Sequence, residues 1–278
     1  MMRIFIAACA CMCAAFSSPM AAQTVVTGNG SMFTNAGPVN TANPACSGLN
    51  DTWCANNVRN GGAAGITNAY ARSGNGSIEF SGPVGSSYKA DFQYLLSTPF
   101  ALNALTALSF DYFRDASSTN PEGQAPAFRL MVGSAGGLMG YLVYESIYNG
   151  GVVAGSWQTA TIGANSNLWL YSTVDGQAFE RYDLSLATWQ SDEGVDVFKG
   201  PWNGNLQVLG FEVGIGSGWD GHFRGAVDNL TYQSATMGQA EVFNFEVSTT
   251  TTVPEPASLA LVALGIAGLS VAARSRKA

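Results

Sequence analysis

Leu108-Ser109-Phe110-Asp111-Tyr112-Phe113-Arg114 decides the fold class. Leu108, Phe110 and Tyr112 occupy even positions and Ser109 and Asp111 stand between them. This period of two puts each set on its own face of a β-strand. Phe211, Val213 and Ile215 alternate with Glu212 and Gly214 in the same way. Around these segments lie further short runs rich in β-branched and aromatic residues, divided by Gly, Asn, Ser and Pro. The predicted strands are Ser77–Ser81, Tyr88–Leu96, Thr106–Arg114, Ala127–Gly133 and Gly140–Ile147, then Gln158–Ile162, Leu168–Ser172, Gln207–Ile215, His222–Tyr232 and Glu241–Val247. No amphipathic helical stretch of comparable strength accompanies them. The expectation is an all-β protein, a two-sheet antiparallel β-sandwich of jelly-roll type, plus one C-terminal transmembrane helix. The Asn/Gly/Ala-rich segment from Gln23 to Gly76 reads as an edge strand with long decorated loops.

Composition narrows the function. Only 11% of the 278 residues are charged, and the net charge is −7. An acidic chain lacks the basic patch that neutralises phosphates, so nucleic acid is not an expected partner. The single histidine, His222, leaves no two-His zinc motif. Gly214-Ile215-Gly216-Ser217-Gly218 has neither a Lys nor a following helix and does not read as a phosphate loop.

Both ends read as addresses. Arg3, the apolar run Ile4 to Phe16 and the break at Ser17-Ser18-Pro19 form a secretory signal over residues 1–22, to be cut by signal peptidase after Ala22. Cys9, Cys11 and Cys13 leave with it. At the other end, Val253-Pro254-Glu255-Pro256 precedes an uncharged stretch, 257–273, and then Arg274-Ser275-Arg276-Lys277. A helix over that stretch spans about 25 Å, somewhat short of the roughly 30 Å hydrocarbon core. Arg274, Arg276 and Lys277 place its C-terminal end in the cytoplasm.

These three parts, in order, closely resemble the PEP-CTERM sorting signal of Gram-negative, exopolysaccharide-producing bacteria, a tail also known as an ice-binding-protein C-terminal domain. The resemblance implies recognition by an exosortase at Pro254, Glu255 and Pro256, with release or re-anchoring of a transiently membrane-anchored chain at the cell surface or outside it. Ice binding itself would need a repeated flat Thr-rich face, which the chain lacks. The domain plan is a signal peptide at 1–22, a sandwich passenger at 23–247, a Thr-rich linker at 248–253 and the sorting signal at 254–278. The passenger segments Gly76–Phe80, Lys89–Phe92, Leu108–Asp111 and Gly140–Glu145 resemble a recurring PEP-CTERM passenger domain. Gly225–Leu230 resembles the closing strand of jelly-roll carbohydrate-binding modules and legume-lectin-like sandwiches.

Without its two ends the chain keeps eight basic and eighteen acidic side chains, about −10. This disfavours anionic polysaccharide unless calcium bridges the two. Cys46 and Cys54 are then the only cysteines, and an even pair in an exported segment reads as a disulfide. Closing that loop contributes roughly 2.5 kcal/mol in the chain-entropy model.

Catalysis by a sandwich glycosidase needs two facing carboxylates. The candidates are Glu145 and the cluster Asp192, Glu193 and Asp196, the latter reading better as a solvated acidic turn; the Glu-x-Asp-x-x-Glu strand of bacterial sandwich glucanases is absent. The chain is read as a non-enzyme with no catalytic residue and no cofactor beyond a structural calcium, for which Asp228 is a weak ligand candidate. Trp202 and Trp219 stand in Gly-flanked loops. Trp202 with Asn203 and Asn205, and Trp219 with Asp220 and His222, would suit a glycan site if the indoles are exposed. Two functions follow: a non-catalytic matrix protein sorted with exopolysaccharide, or a carbohydrate-binding module.

Overall fold

The computed structural model describes residues 21–34, 49–85, 87–174, 178–179, 182–192 and 202–249. The chain divides into a compact unit that ends at Val247 and a second unit that begins at Ser248. The strands of the first unit are β1 (Ala22–Gly28), β2 (Trp53–Arg59), β3 (Ala63–Thr67), β4 (Ser77–Gly82), β5 (Lys89–Ala101), β6 (Leu105–Arg114) and β7 (Ala127–Ser134). They continue with β8 (Gly137–Tyr144), β9 (Trp157–Thr161), β10 (Trp169–Ser172), β11 (Ala178–Phe179), β12 (Gln207–Gly216), β13 (Phe223–Ser234) and β14 (Glu241–Val247). A short helix, α1 (Leu186–Gln190), is capped by Ser185, whose side chain accepts the Thr188 N–H.

Two seven-stranded sheets form a sandwich. In the first, β13 is the hub. It pairs β4 and then β14 along one edge and β6 along the other; β3, β1 and β9 lie beyond these. The second runs β11-β10-β8-β7-β12-β5-β2. All ten predicted strands are present. Each inner face is built by the predicted alternation: Phe110 and Tyr112 from β6, and Phe211, Val213 and Ile215 from β12, are all in the core. Aromatic rings tie the sheets together. Trp53 on β2 meets Phe243 and Phe245 on β14 edge-on, at 5.4 and 5.2 Å between centroids.

The structure differs from the sequence reading in several places. Among the described residues the segment from Gln23 to Gly76 contributes three strands rather than one, because long-range pairing overrides its weak local preference: β2 pairs β5, β3 pairs β4, and β1 pairs β14. The β1–β14 pair is parallel, an exception to the antiparallel plan that suits strands from opposite ends of the chain, which no hairpin links. β8 starts earlier than expected and stops at Tyr144, since the turn before it uses Gly137 at φ +112 and Ser146–Tyr148 closes into a 3-10 turn.

Among the described residues no helix is long and apolar enough to cross a membrane. The span expected at 257–273 lies outside them, as do residues 1–20 of the signal, Cys46, and Pro254, Glu255, Pro256, Arg274, Arg276 and Lys277 of the tail. β1 starts at Ala22, one residue before the N-terminus expected after cleavage.

Candidate functional site

Residues directly opposite each other across paired strands share a face, so register turns scattered sequence positions into rows. One row crosses six strands of the second sheet on its outer face: Cys54 (β2), Gln93 (β5), Glu212 (β12), Arg129 (β7), Val143 (β8) and Trp169 (β10). At about 4.8 Å per strand the row is about 24 Å long. A neighbouring row holds Asn56, Asp91, Gly214 and Ala127. On the other side a third row runs Leu95, Gly210, Met131, Tyr141 and Tyr171.

The middle of this face is a charge cluster. Arg129 Nη1 donates to Asp91 Oδ1 at 2.8 Å and to Glu212 Oε1 at 2.9 Å, bridging two carboxylates. Lys89 Nζ donates to Asp91 at 2.9 Å, and Asn57 Nδ2 donates to Asp91 Oδ2 at 2.9 Å. Two cations balance two anions, and Asp91 takes the larger share of the donors. Among the described residues Glu212 has Arg129 as its one donor, and burial together with the adjacent Asp91 charge pushes its carboxyl above the usual range. Burial, then the Glu212 and Asp91 charges, also pushes the Tyr141 phenol up.

Two carboxylates around one arginine invite comparison with a glycosidase pair, but the Asp91 side chain has no exposed surface. Its oxygens are satisfied from within, so the cluster braces the sheet. The exposed chemistry lies beside it. Tyr141 and Tyr171 stand 6.4 Å apart, and Tyr171 keeps 41% of its surface exposed. Leu138, 37% exposed, belongs to the same end of β8. Trp169, half-buried on the middle row, donates its Nε1–H to Glu145 Oε2 at 3.0 Å.

The sequence-named residues are placed differently. Trp202 is 3% exposed and Trp219 7% exposed; both belong to the core. Trp202 fills the space above Gly140, where a Cβ would lie 3.0 Å from its ring, and Trp219 packs edge-on against Phe223 at 5.1 Å. Neither indole offers a sugar platform. Each turns inward because the open end of a sandwich leaves apolar surface for a loop tryptophan to cover. Asp220 is exposed and His222 half-buried beside the inward-turned Trp219, while Asn203 Oδ1 accepts the Asn205 N–H. Glu145 is tied to Trp169, Asp192 is exposed, and Glu193 and Asp196 lie outside the described residues.

Asp228 is fully buried. Its Oδ1 accepts the Phe245 N–H at 3.0 Å and its Oδ2 the Ser73 N–H at 3.2 Å. These bonds fasten β13 to β14 and to Ser73. Among the described residues no three His, Cys, Asp or Glu side chains gather as a metal site. Cys54 is buried on β2, with Sγ 3.9 Å from the Gln93 carbonyl.

Sequence reasoning passed over Tyr141, Tyr171, Lys89, Asp91 and Arg129 as site residues. The available signal was scarcity. A passenger with eight basic residues places Lys89 and Arg129 on the outward positions of two strands.

Residues 252–277 match the model of the PEP-CTERM protein-sorting motif. The chain carries a PEP-CTERM sorting signal. That motif marks an exported protein sorted to the cell surface, with exosortase as its processing partner. No curated protein matches the chain. Among solved structures the passenger is similar to a family 11 carbohydrate-binding module from Clostridium thermocellum in complex with a β-1,3-1,4-mixed-linked tetrasaccharide (16% identity, TM-score 0.38, covering 68% of this chain and 92% of that one). It is also similar to the family 11 module of the cellulosomal cellulase Lic26A-Cel5E of Clostridium thermocellum (14%, 0.36, covering 74% and 94%). A third likeness is to an arabinose-bound α-L-arabinofuranosidase (12%, 0.31, covering 74% of this chain and 28% of that one). Likenesses of this strength say nothing about ligand or reaction.

Proposed function

We propose that this PEP-CTERM protein is a non-catalytic surface or matrix protein that associates with exopolysaccharide through the outer face of its second sheet. The observation that carries the reading is the Tyr141–Tyr171 pair, Tyr171 exposed and Tyr141 half-buried, beside a self-neutralised polar cluster on a sheet face about 24 Å across. An aromatic ring covers the C–H side of a sugar, and fixed polar groups meet its hydroxyls. The carboxylates on this face are locked to Arg129 and Lys89, which favours holding a chain over cutting one. The passenger charge of about −10 favours a neutral polysaccharide. In this reading signal peptidase removes residues 1–22, Cys46 and Cys54 pair, and exosortase acts on the tail around Pro254–Pro256.

The test is a glycan array on the exported passenger, residues 23–247, with and without calcium, repeated on Tyr171→Ala and Tyr141→Ala. Retention of neutral glycans that falls in both variants supports the outer face. Retention of acidic glycans only, and only with calcium, or no retention at all, overturns it. Intact-mass measurement of the product from an exosortase-competent cell decides the processing; a product still carrying 257–278 sinks the cleavage.

A further inference from the structure

A cavity of about 510 Å³ opens where β8 of one sheet and β9 of the other both end, a volume within the roughly 300–1,000 Å³ range of small-molecule sites. Tyr144, the last residue of β8, and Thr161, the last of β9, line it. Tyr148 and the turn Gly163–Ser166 complete the wall. The wall is braced. Asn149 donates its amide to the Glu145 and Asn167 carbonyls at 3.0 Å each and accepts the Asn167 N–H at 2.7 Å, locking the two wall segments together. Ser166 Oγ accepts the Gly163 N–H at 3.0 Å and shapes the turn.

The chemistry of this wall is specific in one respect: among the described residues that line it there is no Asp, Glu, Lys, Arg or His. An ionic guest would find no counter-charge on it. A neutral guest with hydroxyl groups needs none. Tyr148 stacks on Tyr182 at 3.9 Å and 17° and still keeps 40% of its surface exposed, which fixes an aromatic face at the cavity. Thr161 and Asn165 stand exposed on the rim with donor and acceptor groups. Burial pushes the Tyr144 phenol up to about 12, so it remains a neutral donor.

We propose that this cavity is a second ligand site, separate from the outer face, that takes a neutral saccharide unit with its apolar side on Tyr148 and its hydroxyls on Thr161, Asn165 and Tyr144. The proposal does not depend on the outer-face reading. Tyr148 meets that face through Tyr182, which lies edge-on to Trp169 at 6.3 Å, and through Glu145, whose carbonyl accepts the Tyr148 N–H and whose carboxylate accepts the Trp169 Nε1–H.

The test uses the full chain in detergent and saturation-transfer NMR with glucose, galactose, mannose and N-acetylglucosamine as probes, and glucuronate as the charged counterpart. Gly163→Leu is the blocking variant: Gly163 lines the cavity, and a Cβ there meets nothing within 4 Å, so the larger side chain is taken up without displacing the fold. Tyr148→Ala and Asn165→Ala remove the stacking face and a rim group. The expected result is transfer to at least one neutral sugar, unchanged at about 0.5 M salt. It is lost in Gly163→Leu, weakened about tenfold in Tyr148→Ala and kept in Tyr171→Ala. Glucuronate should bind more weakly than glucose. No transfer to any neutral sugar, transfer that survives Gly163→Leu, or stronger binding of glucuronate overturns the site. Loss in Tyr171→Ala with retention in Gly163→Leu also overturns it, while leaving the outer-face reading standing.

Discussion

Asp91 and Gly214 face each other across β5 and β12, and a Cβ on residue 214 would stand 2.0 Å from Asp91 Oδ1. The missing side chain is therefore the space in which the Asp91 carboxylate turns toward Lys89 and Arg129. Sheet pairing sets the position, and a hydrogen in place of a methyl group lets the charge cluster form.

Gly214→Ala accordingly displaces the Asp91 carboxylate from its donors. The expected loss is about 1–3 kcal/mol from overpacking alone, read as a lower urea midpoint with an unchanged slope. Gly163→Ala, with open space at its Cβ, is the control and should change stability by no more than about 0.5 kcal/mol.

Arg129→Met leaves Asp91 and Glu212 buried around a lost bridge. Removing one partner of a buried pair costs about 3–5 kcal/mol. Adding Glu212→Gln should restore part of that loss, because it removes the anion left with the fewest donors. Thermal unfolding of the single and double variants reads the coupling; strictly additive losses would show that the two residues act independently.

Stability should depend on pH through Asp228. Burial raises its carboxyl to about 6, against the opposing pull of the Phe245, Asn229 and Ser73 N–H groups. The folded state then holds this proton more tightly than the unfolded state does. Its contribution is fully present below about pH 4 and is lost as pH rises through about 6, an effect on the order of 3 kcal/mol. Glu212, shifted in the same direction, adds to the decline. Urea unfolding between pH 4 and 7 measures the slope, and Asp228→Asn should flatten it.

Trp219→Ala should act as a core deletion. The indole is 7% exposed against Phe223, so the expected loss is about 3–5 kcal/mol of stability. Any loss of glycan retention should track unfolding. A variant that stays fully stable yet fails to bind would return Trp219 to the ligand site.

The strands with clean alternation were legible in the sequence. The run from Leu108 to Arg114 became β6 within one residue of its expected start, and Glu241–Val247 is β14 to the residue. Where side chains gave no alternation, as in Ala63-Ala64-Gly65, the strand was invisible; β3 exists because β4 lies beside it. The same limit hid the face of the second sheet. Arg129 lies 38 positions from Asp91 and 83 from Glu212, and no local spacing announces their meeting.

The sequence by itself determined the class of fold and the C-terminal sorting signal, because strand periodicity and a Pro-Glu-Pro, apolar, basic order are written in neighbouring residues. Only the tertiary structure decided that Trp202 and Trp219 close the core while Tyr141, Tyr171 and Tyr148 face outward. A loop tryptophan goes where apolar surface awaits it, and which strands stand side by side is settled by pairing over the whole chain.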